Sequence, residues 1–338
     1  MLTATWLIKL ADATASVVAG RECWQERHGN GAETGSMKLR AYDLEKGQGR
    51  RIPSLGVCIY CQRPLSPENL TDEHVIPFAL GANSSIFLEA SCQDCARTIQ
   101  PYEQDVLLKQ LGNFRRQIDA PSRTKPKKRP THANVTFKEV DNDGCDLRPL
   151  GERSIAIAEL PLALSLWQLP EPRIMRPHSV PGDDEGQPWL YCDDVNTVRA
   201  LCRQVAEETG SRHVALEIGA VNRTNFLRFL AKTAHAYAVA EVGLDAFEPL
   251  LIEIILGREN DISRYVGGYY GPPPPGAAPE NLVLAHIGQA VEGPGAGLLI
   301  VALQFYPLLG SPIYSVIVGR TIIDMDAQAF DIGYDVSG

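Results

Sequence analysis

Four of the eight cysteines in the chain form two Cys-x-x-Cys pairs that could hold a metal ion. The first pair is Cys58 and Cys61, and the second is Cys92 and Cys95. Each pair sets two sulfur atoms on one tight turn, so two turns supply the four thiolates of a tetrahedral zinc site. Because such a site leaves no position open for substrate, the pattern predicts a structural zinc ion. The alternative is four buried or redox-active cysteines without metal.

The segment between the two pairs contains side chains suited to acid–base chemistry. It includes TDEHVIP, which sets the carboxylates of Asp72 and Glu73 beside the imidazole of His74. Histidine suits a general base because its ordinary pKa of about 6.5 is close to working pH. Neighbouring strand residues point to opposite faces, so Glu73 and His74 share a site only at a strand end or a bulge. The alternatives for His74 are a core histidine or a zinc ligand in place of a cysteine.

The order of these features resembles the HNH endonuclease family over roughly residues 55–115. The matching order is Cys-x-x-Cys, then EHVIP, then LGA near the family's frequent Leu-Gly-Gly, then a second Cys-x-x-Cys that opens a helix. The resemblance implies a zinc-stabilised ββα-metal fold and hydrolysis of phosphodiester bonds, with DNA as the favoured substrate. It also implies that His74 is the general base and that Glu73 binds a catalytic Mg²⁺ or Mn²⁺ ion.

Two positions depart from the family's pattern. Ala96 follows the last cysteine, where the family usually has Asn or His, and SSIFLEAS replaces the stretch with the family's central asparagine. Glu103 lies seven residues after Ala96, on the same face of the predicted helix. It is predicted to bind the catalytic ion in place of the family residue that Ala96 replaces. Gln100 is another candidate, Asp72 is an alternative to Glu73, and a solvated Glu103 is the simpler interpretation. The departures leave a second function open, a catalytically degenerate zinc-containing protein that binds nucleic acid.

A basic segment follows the cysteine unit. From Asn113 to Pro130 the chain has seven basic residues against one acid, Asp119, a net charge of +6 within a chain of −9. Most charge runs are solvated surface, but this position beside a nuclease-like unit favours contacts with phosphate groups. Three prolines are expected to keep the segment extended, and no residue pattern predicts base specificity. The predicted nucleic-acid ligands are Arg115, Arg116, Arg123, Lys125, Lys127, Lys128 and Arg129.

The fold class predicted for the 338 residues is α+β, with a small zinc-containing ββα-metal domain followed by a mixed α/β domain of unknown fold. The chain start is too interrupted by charge for a membrane span or a secretory signal, so a cytoplasmic protein without a membrane partner is expected. Met37 is an alternative start. The predicted units are a flexible extension (1–37), the HNH domain (38–120), a basic linker and connector (121–150) and the α/β domain (151–338).

The second half of the chain carries the clearest predicted elements. One helix is expected from Arg223 until Gly243, and another begins at a cap formed by Asp194 or Asn196. Residues 247–257 also read as a helix. Three apolar segments separated by Gly and Pro turns, LVLAHIGQAV, GLLIVALQFY and IYSVIVGRTI, predict strands of a covered sheet. His235 lies off the apolar stripe of its helix and is predicted to be a surface or interface residue.

Overall fold

The computed structural model describes residues 3–4, 38–43, 49–142, 144–176, 184–217, 219–269, 281–290 and 293–322. The predictions of a flexible extension and of a start at Met37 concern residues that lie almost wholly outside this part. The α-helices are α1 (Gln93–Gln104), α2 (Gly112–Gln117), α3 (Val195–Thr209), α4 (Arg223–Val242) and α5 (Ile252–Ile255). The first eight strands are β1 (Thr3–Ala4), β2 (Lys38–Asp43), β3 (Arg51–Ile52), β4 (Thr71–His74), β5 (Ile86–Ser91), β6 (His132–Val140), β7 (Asp146–Ala156) and β8 (Ala163–Gln168). The other eight are β9 (Gln187–Cys192), β10 (Val214–Glu217), β11 (Val221–Asn222), β12 (Phe247–Pro249), β13 (Val266–Tyr269), β14 (Asn281–Gln289), β15 (Leu298–Phe305) and β16 (Ile313–Thr321).

The largest sheet has the strand order β12-β16-β15-β14-β2, and β13 also pairs with β16. All of these pairings are antiparallel. The three apolar segments predicted as strands are confirmed as β14, β15 and β16, which form adjacent hairpins. The helix predicted over residues 247–257 is mostly wrong, because the segment begins as the edge strand β12 and only four residues become α5.

Helix α4 packs between this sheet and the part of the chain that carries the cysteine pairs. Its bounds agree with the prediction, and the Asn222 side chain caps it by accepting from the backbone of Asn225 at 3.1 Å. Aromatic side chains of α4 contact the sheet, and its other side contacts α1. A helix covered on both sides is buried all round. The surface position predicted for His235 is therefore wrong, since its side chain is 0% exposed.

A smaller sheet, β10-β6-β7, packs with α3 around a second hydrophobic core. Asp194 caps α3, as one of the two predicted candidates, by accepting from two backbone N–H groups. The boundary predicted at residue 150 falls inside β7, the second strand of the β6–β7 hairpin. The main hydrophobic core contains residues from both sides of that boundary, from Tyr42 and the cysteine pairs to Val318.

The cysteine pairs belong to a small ββα unit made of β4, β5 and α1. β4 runs antiparallel to β5, and β3 lies parallel on the other side of β5. Helix α1 begins directly after Cys92, and Pro101 lies inside the helix. A π-helical turn, Asp105–Gln110, and then α2 continue the chain. No helix in the described ranges is long and apolar enough to cross a membrane.

Candidate functional site

The four cysteines of the two pairs converge on one point. Their sulfur atoms all lie within 4.8 Å of one another, and the Sγ atoms of Cys61 and Cys92 are 3.7 Å apart. A zinc ion with four Zn–S bonds of about 2.3 Å gives sulfur–sulfur distances of about 3.8 Å. The donor set and its spacing therefore fit a closed tetrahedral zinc site held by Cys58, Cys61, Cys92 and Cys95.

Hydrogen bonds position this cysteine cluster and favour the thiolate of Cys58, whereas the pKa of Cys95 is raised by its hydrogen bond with Cys58. The backbone N–H of Cys92 donates to Cys58 Sγ at 3.4 Å, and Arg63 Nε donates to Cys61 Sγ at 3.3 Å. A hydrogen bond with Cys95 is the main reason that the pKa of Cys58 is lowered to about 4. From the opposite side, His235 Nε2 donates to the carbonyl of Ile59, in the first turn, at 2.7 Å. Burial lowers the pKa of His235 to about 4, so this histidine is neutral.

Strand β4 carries the predicted catalytic residues through an irregular register. The pairing of β4 with β5 shifts between Thr71 and Glu73, and His74 is the last residue of the strand. Asp72 Oδ1 accepts from the backbone N–H of Glu89 at 2.9 Å, where Glu89 has a φ of +47°. A carboxylate that holds this strained backbone has a structural role. Glu73, and not Asp72, is therefore the β4 carboxylate that turns toward the interior.

His74 is half-buried and contacts the basic segment. Its Nε2 atom lies 2.7 Å from Nη2 of Arg123. Because a guanidinium only donates, Nε2 is the accepting atom and the proton of the neutral ring lies on Nδ1. Nδ1 is buried and finds no hydrogen-bond partner among the described residues. Burial lowers the pKa of His74, and the charges of Arg123 and Lys232 lower it further.

The two predicted ligands of a catalytic ion converge, but on a lysine of α4. Lys232 Nζ lies 2.5 Å from Glu73 Oε1 and 2.9 Å from Glu103 Oε1. The side chains of Lys232, Glu73 and Glu103 are 1%, 13% and 24% exposed. Burial opposes the charge of Lys232, but the two carboxylates outweigh it, and the pKa of Lys232 is raised. The lysine is therefore an ammonium ion at any physiological pH.

The cysteine cluster and the ββα unit lie in a segment that matches one known family. Residues 58–111 match the family model of the HNH endonucleases. The resemblance predicted from the sequence is thus confirmed for this part of the chain, called the HNH region below. The match indicates a nuclease that acts on nucleic acid. No curated protein and no solved structure matches the chain.

The HNH region does not fit a divalent ion between Glu73 and Glu103. Mg²⁺ prefers about six oxygen ligands in octahedral geometry and usually keeps several waters. Between these two carboxylates lies the ammonium of Lys232, closed off from solvent, and Ala96 offers no ligand atom. A second positive charge in the same buried space would be repelled strongly. The predicted convergence of Glu73 and Glu103 is present, and the ammonium of Lys232 contacts both carboxylates.

The basic segment divides into inward and outward residues. Arg115 points inward, where its guanidinium donates to the carbonyls of Ala79, Leu107 and Pro121, and burial lowers its pKa. Its predicted role at phosphate is thus corrected to a structural one, since these donors are used.

Arg116 donates to Asn113 and is half-buried. The exposed cations are Arg123, Lys125, Lys127 and Lys128, whereas Arg129 pairs with Asp119 at 3.3 Å. The expected extended path is interrupted by a 3₁₀ turn, Pro126–Lys128.

Lys232 is the site residue that sequence reasoning missed. It lies 129 positions from Glu103, and no short motif connects the two. One signal was present, because α4 is apolar on nearly every face and such a helix is buried. A lysine in the middle of a buried helix needs a carboxylate partner. That argument predicts a paired lysine, although it does not identify the partners.

Proposed function

We propose that the HNH region hydrolyses phosphodiester bonds of nucleic acid, with His74 as the general base that accepts a proton from the attacking water. The observation that carries the proposal is the contact between His74 Nε2 and Arg123, which brings an exposed cation of the basic segment to the imidazole. Arg123 is suited to a phosphate group because a guanidinium binds two phosphate oxygens at once. DNA is the first substrate to test, and RNA is the second.

The proposed chemistry uses residues of this chain alone. His74 is neutral near pH 7, and Nε2, which carries the lone pair, is its basic atom. When a phosphate draws Arg123 onto its oxygens, that lone pair becomes free to accept a proton from water. The exposed lysines at positions 125, 127 and 128 extend the positive surface along the nucleic-acid backbone. The proposal routes no step through a divalent ion between Glu73 and Glu103, because Lys232 lies there.

Replacing His74 with alanine is expected to lower the rate of cleavage by about 10²- to 10⁴-fold, the usual contribution of a general base. The measurement is nicking of a supercoiled plasmid, and cleavage of a labelled RNA, by zinc-loaded protein. His132→Ala is the matched control, since His132 is an exposed histidine outside the HNH region and is expected to leave the rate unchanged. If wild type and His74→Ala leave both substrates intact, the proposed hydrolysis is wrong.

A specific observation favours a second candidate function, a degenerate nuclease unit that binds nucleic acid without cutting it. The position of the predicted catalytic ion is taken by Lys232, and Ala96 lacks the family's ligand. In that case the same plasmid experiment shows no nicking. Binding to DNA is then expected at low salt and falls steeply as salt rises, because it depends on the exposed cations.

The pH dependence of cleavage is expected to follow the lowered pKa of His74. Since only the neutral imidazole accepts a proton, kcat/KM should rise with pH, with a midpoint below the ordinary histidine pKa. Glu103 and Asp72 oppose the lowering, whereas Arg123 and Lys232 add to it. Arg123→Gln removes a positive charge and should therefore raise the midpoint of the profile. A midpoint that stays constant or falls in Arg123→Gln, followed by kinetics or by NMR titration of His74, contradicts this assignment.

A further inference from the structure

Helix α4 places one positive charge at the point where the two carboxylates of the HNH region meet. Glu73 comes from β4, Glu103 from α1 and Lys232 from α4, so three separate elements converge there. The ammonium is the most buried of the three groups, with its side chain 1% exposed. Burial raises the pKa of Glu73, and the ammonium of Lys232 opposes that rise. A buried cluster of this kind is held by direct contact between opposite charges.

We propose that Lys232 is the resident cation of this site, a positioning residue that takes the place of a divalent ion. Its ammonium ties Glu73 to Glu103, and Glu73 directly precedes His74 on β4. The contact thus sets the end of β4, where the imidazole meets Arg123. The inference concerns the same site as the proposed function, but it does not require that the chain cleaves nucleic acid.

Two consequences follow for metal ions. The wild-type protein does not bind Mg²⁺ or Mn²⁺ through Glu73, because the space between the carboxylates already contains a cation. Replacing Lys232 with methionine keeps an unbranched side chain that is shorter by the ammonium group, which leaves the carboxylates of Glu73 and Glu103 without a positive partner. A pair of acidic oxygens without a counter-charge is the arrangement that a hard divalent cation prefers.

Mn²⁺ titration of zinc-loaded protein, followed by electron paramagnetic resonance in the absence of substrate, tests the inference. Wild type and Glu73→Gln are expected to bind Mn²⁺ equally weakly. Lys232→Met is expected to bind Mn²⁺ at least about tenfold more tightly than wild type, since a repelling charge has gone. The double variant Lys232→Met with Glu73→Gln is expected to lose that gain.

Two results overturn the inference. One is Mn²⁺ binding in wild type that Glu73→Gln abolishes, which shows that the carboxylates accept a divalent ion beside Lys232. The other is a folded Lys232→Met protein that gains no Mn²⁺ affinity. If Lys232→Met does not fold, as judged by circular dichroism and zinc content, the comparison of wild type with Glu73→Gln decides alone. Because no substrate is present, these outcomes are independent of the failure or success of the cleavage experiment.

Discussion

Replacing Cys92 with serine is expected to unfold the HNH region and to release the bound zinc. Cys92 is 4% exposed, its sulfur lies 3.7 Å from that of Cys61, and it is the residue before helix α1. The binding free energy of a structural zinc ion, about 10–16 kcal/mol in small zinc domains, is also folding free energy. Loss of one thiolate is expected to cost about 5 kcal/mol or more. Zinc content by atomic emission and a urea unfolding curve measure the effect.

Cys202 provides a matched control for this experiment. It is 0% exposed, lies on α3 in the second core and is not part of the cysteine cluster. Cys202→Ser also replaces a buried sulfur atom by oxygen. It is expected to lower the free energy of unfolding by about 1–3 kcal/mol without loss of zinc. Equal losses of stability in the two variants, with zinc content unchanged in both, would show that the four cysteines do not hold a metal.

Replacing Lys232 with methionine is expected to lower the free energy of unfolding by about 3–5 kcal/mol, because it breaks a buried ion cluster from one side. The substitution leaves the carboxylates of Glu73 and Glu103 together without a counter-charge. Lys109→Met is the surface control. Lys109 also contacts a carboxylate, that of Asp105 at 2.7 Å, but its side chain is 78% exposed. Because the lysine of this pair is solvated, its loss is expected to cost about 0–1 kcal/mol.

The pH dependence of Lys232→Met separates lost charge from lost packing. Without the ammonium, one of the two carboxylates is expected to have a pKa above its value in the unfolded chain, since like charges in a buried place disfavour ionisation. A folded-state pKa that is raised makes the folded form gain stability as pH falls. The deficit of Lys232→Met relative to wild type should therefore shrink in mild acid. A deficit that stays constant from neutral pH to mild acid would indicate that packing, and not charge, is responsible.

Local sequence patterns were sufficient to predict the parts of the site that lie close together in the chain. The cysteine pairs predicted the sulfur cluster because each pair occupies a single turn, and the resemblance to the HNH family related the two turns to each other. Helix α4 was predicted from its apolar residues and its cap, and the strands β14 to β16 from apolar runs bounded by turns. In each case the deciding information lies within about ten to twenty residues, where helical and strand periods act.

The errors concern contacts between distant segments. Arg115 looked like a phosphate ligand because its neighbours are basic, yet three backbone carbonyls from separate turns accept its hydrogen bonds. His235 looked exposed because it lies beside the apolar stripe, but the first cysteine turn covers it. Glu103 was predicted to face an ion, and the partner came from α4. The residues of a helix can indicate that it is buried, but they do not identify the distant segments that cover each face.

The spacing of two contacts along α4 has a mechanical consequence. Lys232 and His235 are three residues apart, so they project from neighbouring positions about 4.5 Å apart along the helix axis. One reaches the acidic pair, and the other reaches the first cysteine turn. Because a helix is rigid, α4 fixes the distance between the acidic pair and the first cysteine turn. A shift of α4 along its axis would move Lys232 and His235 together. The position of Glu73, and of His74 next to it, therefore depends on how α4 packs against the sheet.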